Sequence, residues 1–257
     1  MYDYHVHTTY SDGSFLPRMI DAAERAGLDG VGFADHCNVF DAEADQAYRE
    51  VSGFNLDLTY ERRRRAIDRE RERTDLRLYD AVEMDYHADR EGTIESFLET
   101  ADFEYAIGSV HAIDGVNVHN QPHFADLSET EREAAVETYV DHLVSLVDSE
   151  LFEIAAHVDL VERNEALRGL LTEDHYGRIA DAFTDSRTVP EINAGRVLDA
   201  YGEFHPSESF AELLVDAGVS FTIGSDAHAP GSLIDCSEEL RAVREEWHLP
   251  IVELDLV

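Results

Sequence analysis

Short apolar runs alternate with longer stretches in which apolar positions recur every three or four residues, and the alternation repeats seven times along the chain. The short runs read as strands: Tyr2, Tyr4 and Val6 first, then residues 28–34 (LDGVGFA), 76–84, 103–110 (FEYAIGSV), 152–156, 188–192 and 219–224. The longer stretches predict helices over 17–26, 60–73, 93–100, 128–148, 172–186, 206–217 and 237–247. Helix punctuation agrees: Pro17 opens the first and Gly27 stops it, Ser128 and Glu131 form a capping box, and Gly218 ends the sixth. Residues 38–58 read as an irregular acidic excursion over the sheet's mouth, and 250–256 as a closing segment. Strands alternating with helices imply a parallel sheet with right-handed crossovers. Seven units without a break in composition predict one α/β domain over 1–257, closed into a TIM-like barrel rather than left as an open sheet. In that architecture function gathers at the C-terminal ends of the strands.

Composition narrows the chemistry. The formal charge is −36, from 56 acidic and 20 basic residues, and every basic residue is an arginine. A disordered acidic chain is excluded, because 44% of residues are hydrophobic and fall in periodic runs. The charge argues against nucleic-acid or anionic-membrane partners. Without lysine there is no P-loop lysine, no Schiff base and no carbamylated lysine between metals, so a side chain holding phosphate by charge must be arginine. Two cysteines, Cys37 and Cys236, are too few for a disulfide framework or a cysteine zinc site. No signal-like or membrane-spanning apolar run is present, so the cytoplasm is the expected location. The glycines at 30 and 32 fall inside a strand without a third, which makes a dinucleotide loop improbable. Arg62 to Arg65 read as an exposed helix face laced with Glu61, Glu70 and Glu72.

Potential metal ligands end six of the seven strands: His5 and His7, His36, Glu83, His111, His157, then Asp226 and His228. His5 and His7 project from one face of the first strand, and the turn through Ser11, Asp12 and Gly13 returns the Asp12 carboxylate toward them. One histidine after a strand is ordinarily a hydrogen-bonded loop residue; six imidazoles and three carboxylates at one mouth are a ligand set. Nitrogen and carboxylate donors without thiolate suit two or three divalent zinc, manganese or iron ions. Such clusters stabilise charge on phosphoryl oxygens and activate water.

HVHTTYSDG, the Asp35–His36 pair, VEMDY, GSVH, HVD and SDAH, in this order, resemble the PHP (polymerase and histidinol phosphatase) family. VEMDY, GSVHAIDG, EINAGR and HPSESFAELLVDAGVSFTIGSDAH make the chain similar to its monofunctional histidinol-phosphatase branch. The resemblance implies a distorted (β/α)7 barrel with a trinuclear centre. It places His5, His7, Glu83 and Asp226 on a first ion, and Glu83, His111 and His157 on a second. Asp12, His36 and His228 fall on a third. It further implies a phosphatase acting on a small phosphomonoester, L-histidinol phosphate first. Glu83, Asp226 and His228 would lie closest to the chemistry, and Arg196 and Arg163 would bind the phosphate, with Arg196 the better placed. The pattern departs from the family at Ala81, where glycine is common, and at Ala112-Ile113, where an aromatic often follows the histidine. A nucleotide or oligonucleotide phosphoesterase is the alternative, though no inserted domain offers a base-stacking pocket. A non-catalytic barrel is a further alternative, disfavoured by the complete ligand set.

An acidic, lysine-free surface is that of a protein adapted to high salt, where repulsion is screened over about 3 Å at molar concentration. Thermal unfolding followed from molar to millimolar salt should show the melting temperature falling steeply as salt is removed. A flat or rising curve would contradict this reading.

Overall fold

The computed structural model describes residues 1–256 as a seven-stranded parallel barrel wrapped by helices. In chain order the elements are β1 (Tyr2–Val6), α1 (Leu16–Arg25), β2 (Gly30–Cys37), α2 (Glu43–Ser52), α3 (Tyr60–Arg71), β3 (Arg77–Asp85), α4 (Glu91–Ala101) and β4 (Tyr105–Ser109). A small antiparallel hairpin follows, β5 (Ala112–Ile113) and β6 (Val116–Asn117), then α5 (Gln121–Ala125), α6 (Glu129–Asp148) and β7 (Ile154–Ala155). The chain continues through α7 (Glu173–Asp185), β8 (Val189–Asn193), α8 (Glu208–Asp216), β9 (Thr222–Gly224) and α9 (Pro230–Glu246). The barrel order is β1-β2-β3-β4-β7-β8-β9. The ends meet where His7 N donates to Ala227 O at 3.0 Å and Asp226 N to His5 O at 2.8 Å. With β7 and β9 only two and three residues long, the barrel is irregular on that side. The expected fold class is therefore the observed one. Among the described residues no helix is long and apolar enough to cross a membrane.

Two apolar layers hold this frame. The outer layer lies between helices and sheet; a smaller cluster, including Tyr4, Ala34, Ala81, Tyr105, Ile107, Ile154 and Ala156, fills the barrel interior. Glycine in β2 is a packing requirement: a Cβ on Gly32 would sit 1.6 Å from the Tyr105 hydroxyl, and one on Gly30 would sit 2.7 Å from the Tyr2 ring. The capping box of Ser128 and Glu131 forms as the sequence predicts.

Three expectations are corrected. The irregular stretch 38–58 contains α2, closed by Gly53 in the left-handed region (φ 71°). The last helix begins at Pro230, seven residues before its predicted start, because Leu233, Cys236, Leu240 and Val243 continue one buried face back to that proline. The third correction concerns Arg63, which is fully buried rather than exposed. Its Nη1 donates to Asp35 Oδ2 at 2.8 Å and its Nη2 to Asp80 Oδ1 at 2.8 Å. Asp35 in turn accepts from Thr8 N at 2.7 Å, Thr8 Oγ1 at 2.8 Å and Ser11 Oγ at 2.9 Å. A buried guanidinium thus anchors the turn after β1. Arg65 does pair with Glu61 at the surface, as expected.

Burial works against the charge on Asp35, but Arg63 outweighs it and holds the carboxyl below its usual pKa. A carboxyl depressed in the folded state contributes stability above its unfolded pKa, and that contribution is lost as pH falls through the folded value. Arg63→Met reverses the sign, since burial then acts unopposed. The variant should lose about 3–5 kcal/mol at pH 7 in high salt, as for an orphaned buried charge. Its deficit should narrow on acidification to about pH 5. Denaturant titration at both pH values measures this; a small, pH-independent deficit would contradict it.

Candidate metal centre

The opening turn folds as it does because Thr8 O accepts from both Ser11 N (3.0 Å) and Gly13 N (2.9 Å). Gly13 presses on the strand it left: a Cβ there would lie 2.3 Å from His7 C. The turn brings Asp12 Oδ1 within 3.2 Å of His228 Nε2, 3.7 Å of His36 Nε2 and 3.9 Å of His7 Nδ1. His5 in β1 and His7 just beyond its end, both fully buried, bring their Nε2 atoms to 3.1 Å of each other.

Glu83, at the end of β3, stands in the middle. Its Oε2 lies 2.6 Å from His36 Nδ1, 3.3 Å from His5 Nε2 and 3.5 Å from His7 Nε2. Its Oε1 lies 3.2 Å from His157 Nε2 and 3.4 Å from His111 Nε2, and accepts from Ser109 Oγ at 2.6 Å. Asp226 Oδ1 approaches His7 Nε2 at 3.3 Å and His228 Nδ1 at 3.8 Å. All nine sequence-predicted ligands come together. Their tightest groups are His7, Asp12, His36 and His228; His5, His7 and Glu83; and His36, Glu83 and His111. His7, His36 and Glu83 are thus each shared by two groups, a closer mesh than the sets expected from the sequence, in which Glu83 alone was shared, while Asp226 and His157 lie outside these groups. His157 (φ 31°) and Asp226 (φ 52°) adopt left-handed backbone, a strained conformation for such residues that aims both side chains inward.

The far ring nitrogens are held by residues that sequence reasoning missed. Glu191 lies 3.0 Å from His5 Nδ1, and Asp85 lies 2.7 Å from His111 Nδ1. Glu191 reaches His5 because Gly224 leaves the space: a Cβ there would lie 2.2 Å from Glu191 Oε2. Its signal was the alternation in β8, which puts Glu191 and Asn193 on one face, and both are fully buried. Such contacts orient an imidazole and present its other nitrogen to a metal.

The charges fit a cation. Burial depresses the carboxylate form of Glu83, yet His36, His5 and His111 outweigh it and hold its pKa well below the usual range. Burial likewise opposes a proton on His5, but Glu191 and Glu83 prevail and raise its pKa. By the same contest His111 is pushed up to about 10, chiefly by Glu83, and His228 to about 9, chiefly by Asp12. His7 goes the other way, to about 4, through burial and the neighbouring His228 and His36. Glu83 Oε2 is buried without a well-formed hydrogen bond although three ring nitrogens surround it. Converging nitrogen and carboxylate atoms, with one buried carboxylate oxygen left without a hydrogen bond, are what divalent transition metals need, so the donor set fits two or three such ions. His36, His111, His228 and Asp12 are partly exposed and form the open side.

The two candidate phosphate arginines differ. Arg163 is largely buried, with Nη2 3.6 Å from Asp226 Oδ2. Arg196 is half exposed on the turn after β8 and pairs with Asp199 at 3.0 Å. Arg163 is thus the more buried of the two and the nearer to the candidate metal centre, whereas the sequence ranks Arg196 first.

This chain belongs to the PHP domain family, whose pattern it matches over residues 3–195. Within the family it is 26% identical over 253 residues to the "Probable histidinol-phosphatase" of Deinococcus radiodurans, covering 94% of this chain and 93% of that one. It is 23% identical over 237 residues to the histidinol-phosphatase of Lactococcus lactis subsp. lactis, covering 88% and 83%. The crystal structure of the histidinol phosphate phosphatase from that organism, complexed with zinc, L-histidinol and phosphate, superposes with a TM-score of 0.71. That match spans 96% of this chain and 94% of the other at 19% identity, which supports the barrel assignment.

Metal analysis of protein prepared with zinc or manganese should find two or three ions per chain, and Glu83→Gln should lose at least one of them. His111→Ala should lose metal as well. Full metal content in Glu83→Gln would contradict the central role of that carboxylate.

Proposed function

We propose that this chain is a metal-dependent phosphomonoesterase that hydrolyses L-histidinol phosphate to L-histidinol and phosphate. The observation that carries the reading is the convergence of His5, His7, Asp12, His36, Glu83, His111 and His228 in groups able to hold metal ions, with a buried arginine at their edge, Arg163 beside Asp226. The names of the two relatives support the substrate. When bound, the ions would neutralise phosphoryl oxygens and activate water for attack at phosphorus. His5, His7, Asp12, His36, Glu83, His111, His157, Asp226 and His228 would hold them. Arg163 would neutralise a phosphate oxygen during transfer, with Arg196 entering from the exposed turn. Asp226, His228 and Glu83 would lie closest to the reacting phosphate, with His228 on the partly exposed side from which substrate would arrive.

The reading extends to setting. A single domain acting on a small phosphomonoester, in the cytoplasm of a salt-adapted cell, accords with the −36 charge and the all-arginine basic set. That charge likewise disfavours nucleic acid as substrate.

Phosphate release from a panel of phosphomonoesters in high salt tests the proposal. Histidinol phosphate should exceed nucleoside monophosphates and p-nitrophenyl phosphate in kcat/KM. Arg163→Ala should lower kcat/KM by roughly ten- to a hundred-fold or more, the value of a charge-assisted hydrogen bond of about 1.5–3 kcal/mol, with metal content unchanged. Arg196→Ala should have the smaller effect. Faster turnover of a nucleotide would leave the family intact and overturn the substrate.

A further inference from the structure

Arg163 and Asn193 join the metal centre to a second buried polar cluster that none of the nine candidate ligands explains, through Arg163 Nη2 3.6 Å from Asp226 Oδ2 and Asn193 Nδ2 3.4 Å from it. His205 is fully buried, and its backbone pairs with Asn193 through His205 N→Asn193 O at 3.0 Å and Asn193 N→His205 O at 2.7 Å. Its Nδ1 faces Asp159 Oδ1, and Asp159, also fully buried, accepts from Ser207 N through Oδ2 at 2.9 Å. The Tyr201 ring lies flat on the imidazole, 4.9 Å between centroids and 5° between planes. His205 Nε2 lies 2.7 Å from Arg163 Nε.

The chemistry of this row is fixed by its donors. Arginine has no acceptor, so the Arg163 Nε–H needs a lone pair on His205 Nε2. A proton on that nitrogen would set two donors against each other. Asp159, which only accepts when ionised, places the imidazole proton on Nδ1 and leaves Nε2 free to accept. Burial and Arg163 both disfavour a second proton on His205, outweighing Asp159. Held through Nε, the guanidinium presents Nη2 to Asn193 Oδ1 at 3.2 Å and stops 3.6 Å short of Asp226 Oδ2. Among the described residues Nη1 has no hydrogen-bond partner. A guanidinium so close to a carboxylate would ordinarily close on it in a two-pronged pair. Here that closure would occupy an Asp226 oxygen at the metal centre.

We propose that His205, kept in its Nδ1–H tautomer by Asp159, is a positioning residue: it holds Arg163 back from Asp226 and aims the Nη groups at the phosphate. This deepens the phosphatase reading and rests on phosphate lying at the metal centre beside Arg163.

The test is a double-mutant cycle on the zinc-loaded full chain, read as the dissociation constant for inorganic phosphate, with metal content and melting temperature followed alongside. His205→Leu removes the acceptor and should weaken phosphate binding about tenfold. In an Arg163→Lys background, which has no Nε–H, the same change should cost less than about twofold. His205→Gln restores an acceptor near the Nε2 position and should recover most of the affinity. Asp159→Asn, a milder change at the same row, should weaken phosphate binding in the Arg163 chain and not in the Arg163→Lys chain, and it serves alone if His205→Leu does not fold. Equal losses in both arginine backgrounds, or a Gln variant no better than Leu, would overturn the proposal. Because the probe is inorganic phosphate, a protein that passes this cycle but prefers another phosphomonoester would refute the substrate and leave the positioning role standing.

Discussion

One buried carboxylate sets the terms for the whole mouth of this barrel. Glu83 faces five imidazoles, three through Oε2 and two through Oε1, at 2.6 to 3.5 Å. An ionised carboxylate with almost no solvent access is costly unless positive charge surrounds it. The protein meets that demand with histidines drawn from β1 and from the ends of β2, β4 and β7, so the folded state is itself a request for cations. Protons satisfy it in part, as the raised pKa values of His5, His36 and His111 indicate. Divalent ions satisfy it with both carboxylate oxygens and the ring nitrogens engaged together.

The rest of the fold serves to keep those strand ends in register. Parallel pairing puts His36 opposite Glu83 directly, and the seam between β9 and β1 brings Asp226 against His5 and His7. Below the centre the barrel is closed by tyrosines together with Ile107, Ile154 and small alanines, with Gly30 and Gly32 leaving room for tyrosine side chains. To one side, Arg63 ties Asp35 and Asp80 together under the turn that carries Asp12. On the other side, Asp159, His205 and Asn193 frame Arg163. Buried ion pairs of this kind add little net stability, and their effect here is to fix where functional groups point.

The convergence of the candidate ligands was legible because period and position coincide: each lies at the end of an apolar run, and the C-terminal ends of parallel strands gather at one mouth. The supporting residues were harder to read. Glu191 and Asp85 are two carboxylates in a chain with 56 acidic residues, and nothing in composition separates an orienting carboxylate from a solvated one. Arg63 was misread because its helix is charged all round, which erases the apolar stripe that marks an inner face. The better signal lay in its partners, since Asp35 and Asp80 sit within apolar strands and a buried carboxylate requires a cation. α2 escaped notice because it is an acidic surface helix with no fully buried side chain among its described residues. The burial of Arg163 beside Asp226 was not legible because sequence distance from a strand end does not report side-chain burial.

The most direct test of Glu83 as the shared ligand is anomalous diffraction from crystals grown with zinc. The account predicts peaks on both sides of the carboxylate, each within about 2.0–2.2 Å of a different Glu83 oxygen and bounded by the imidazoles named above. A map in which every ion lies among Asp12, His36 and His228, with Glu83 touching none, would contradict it.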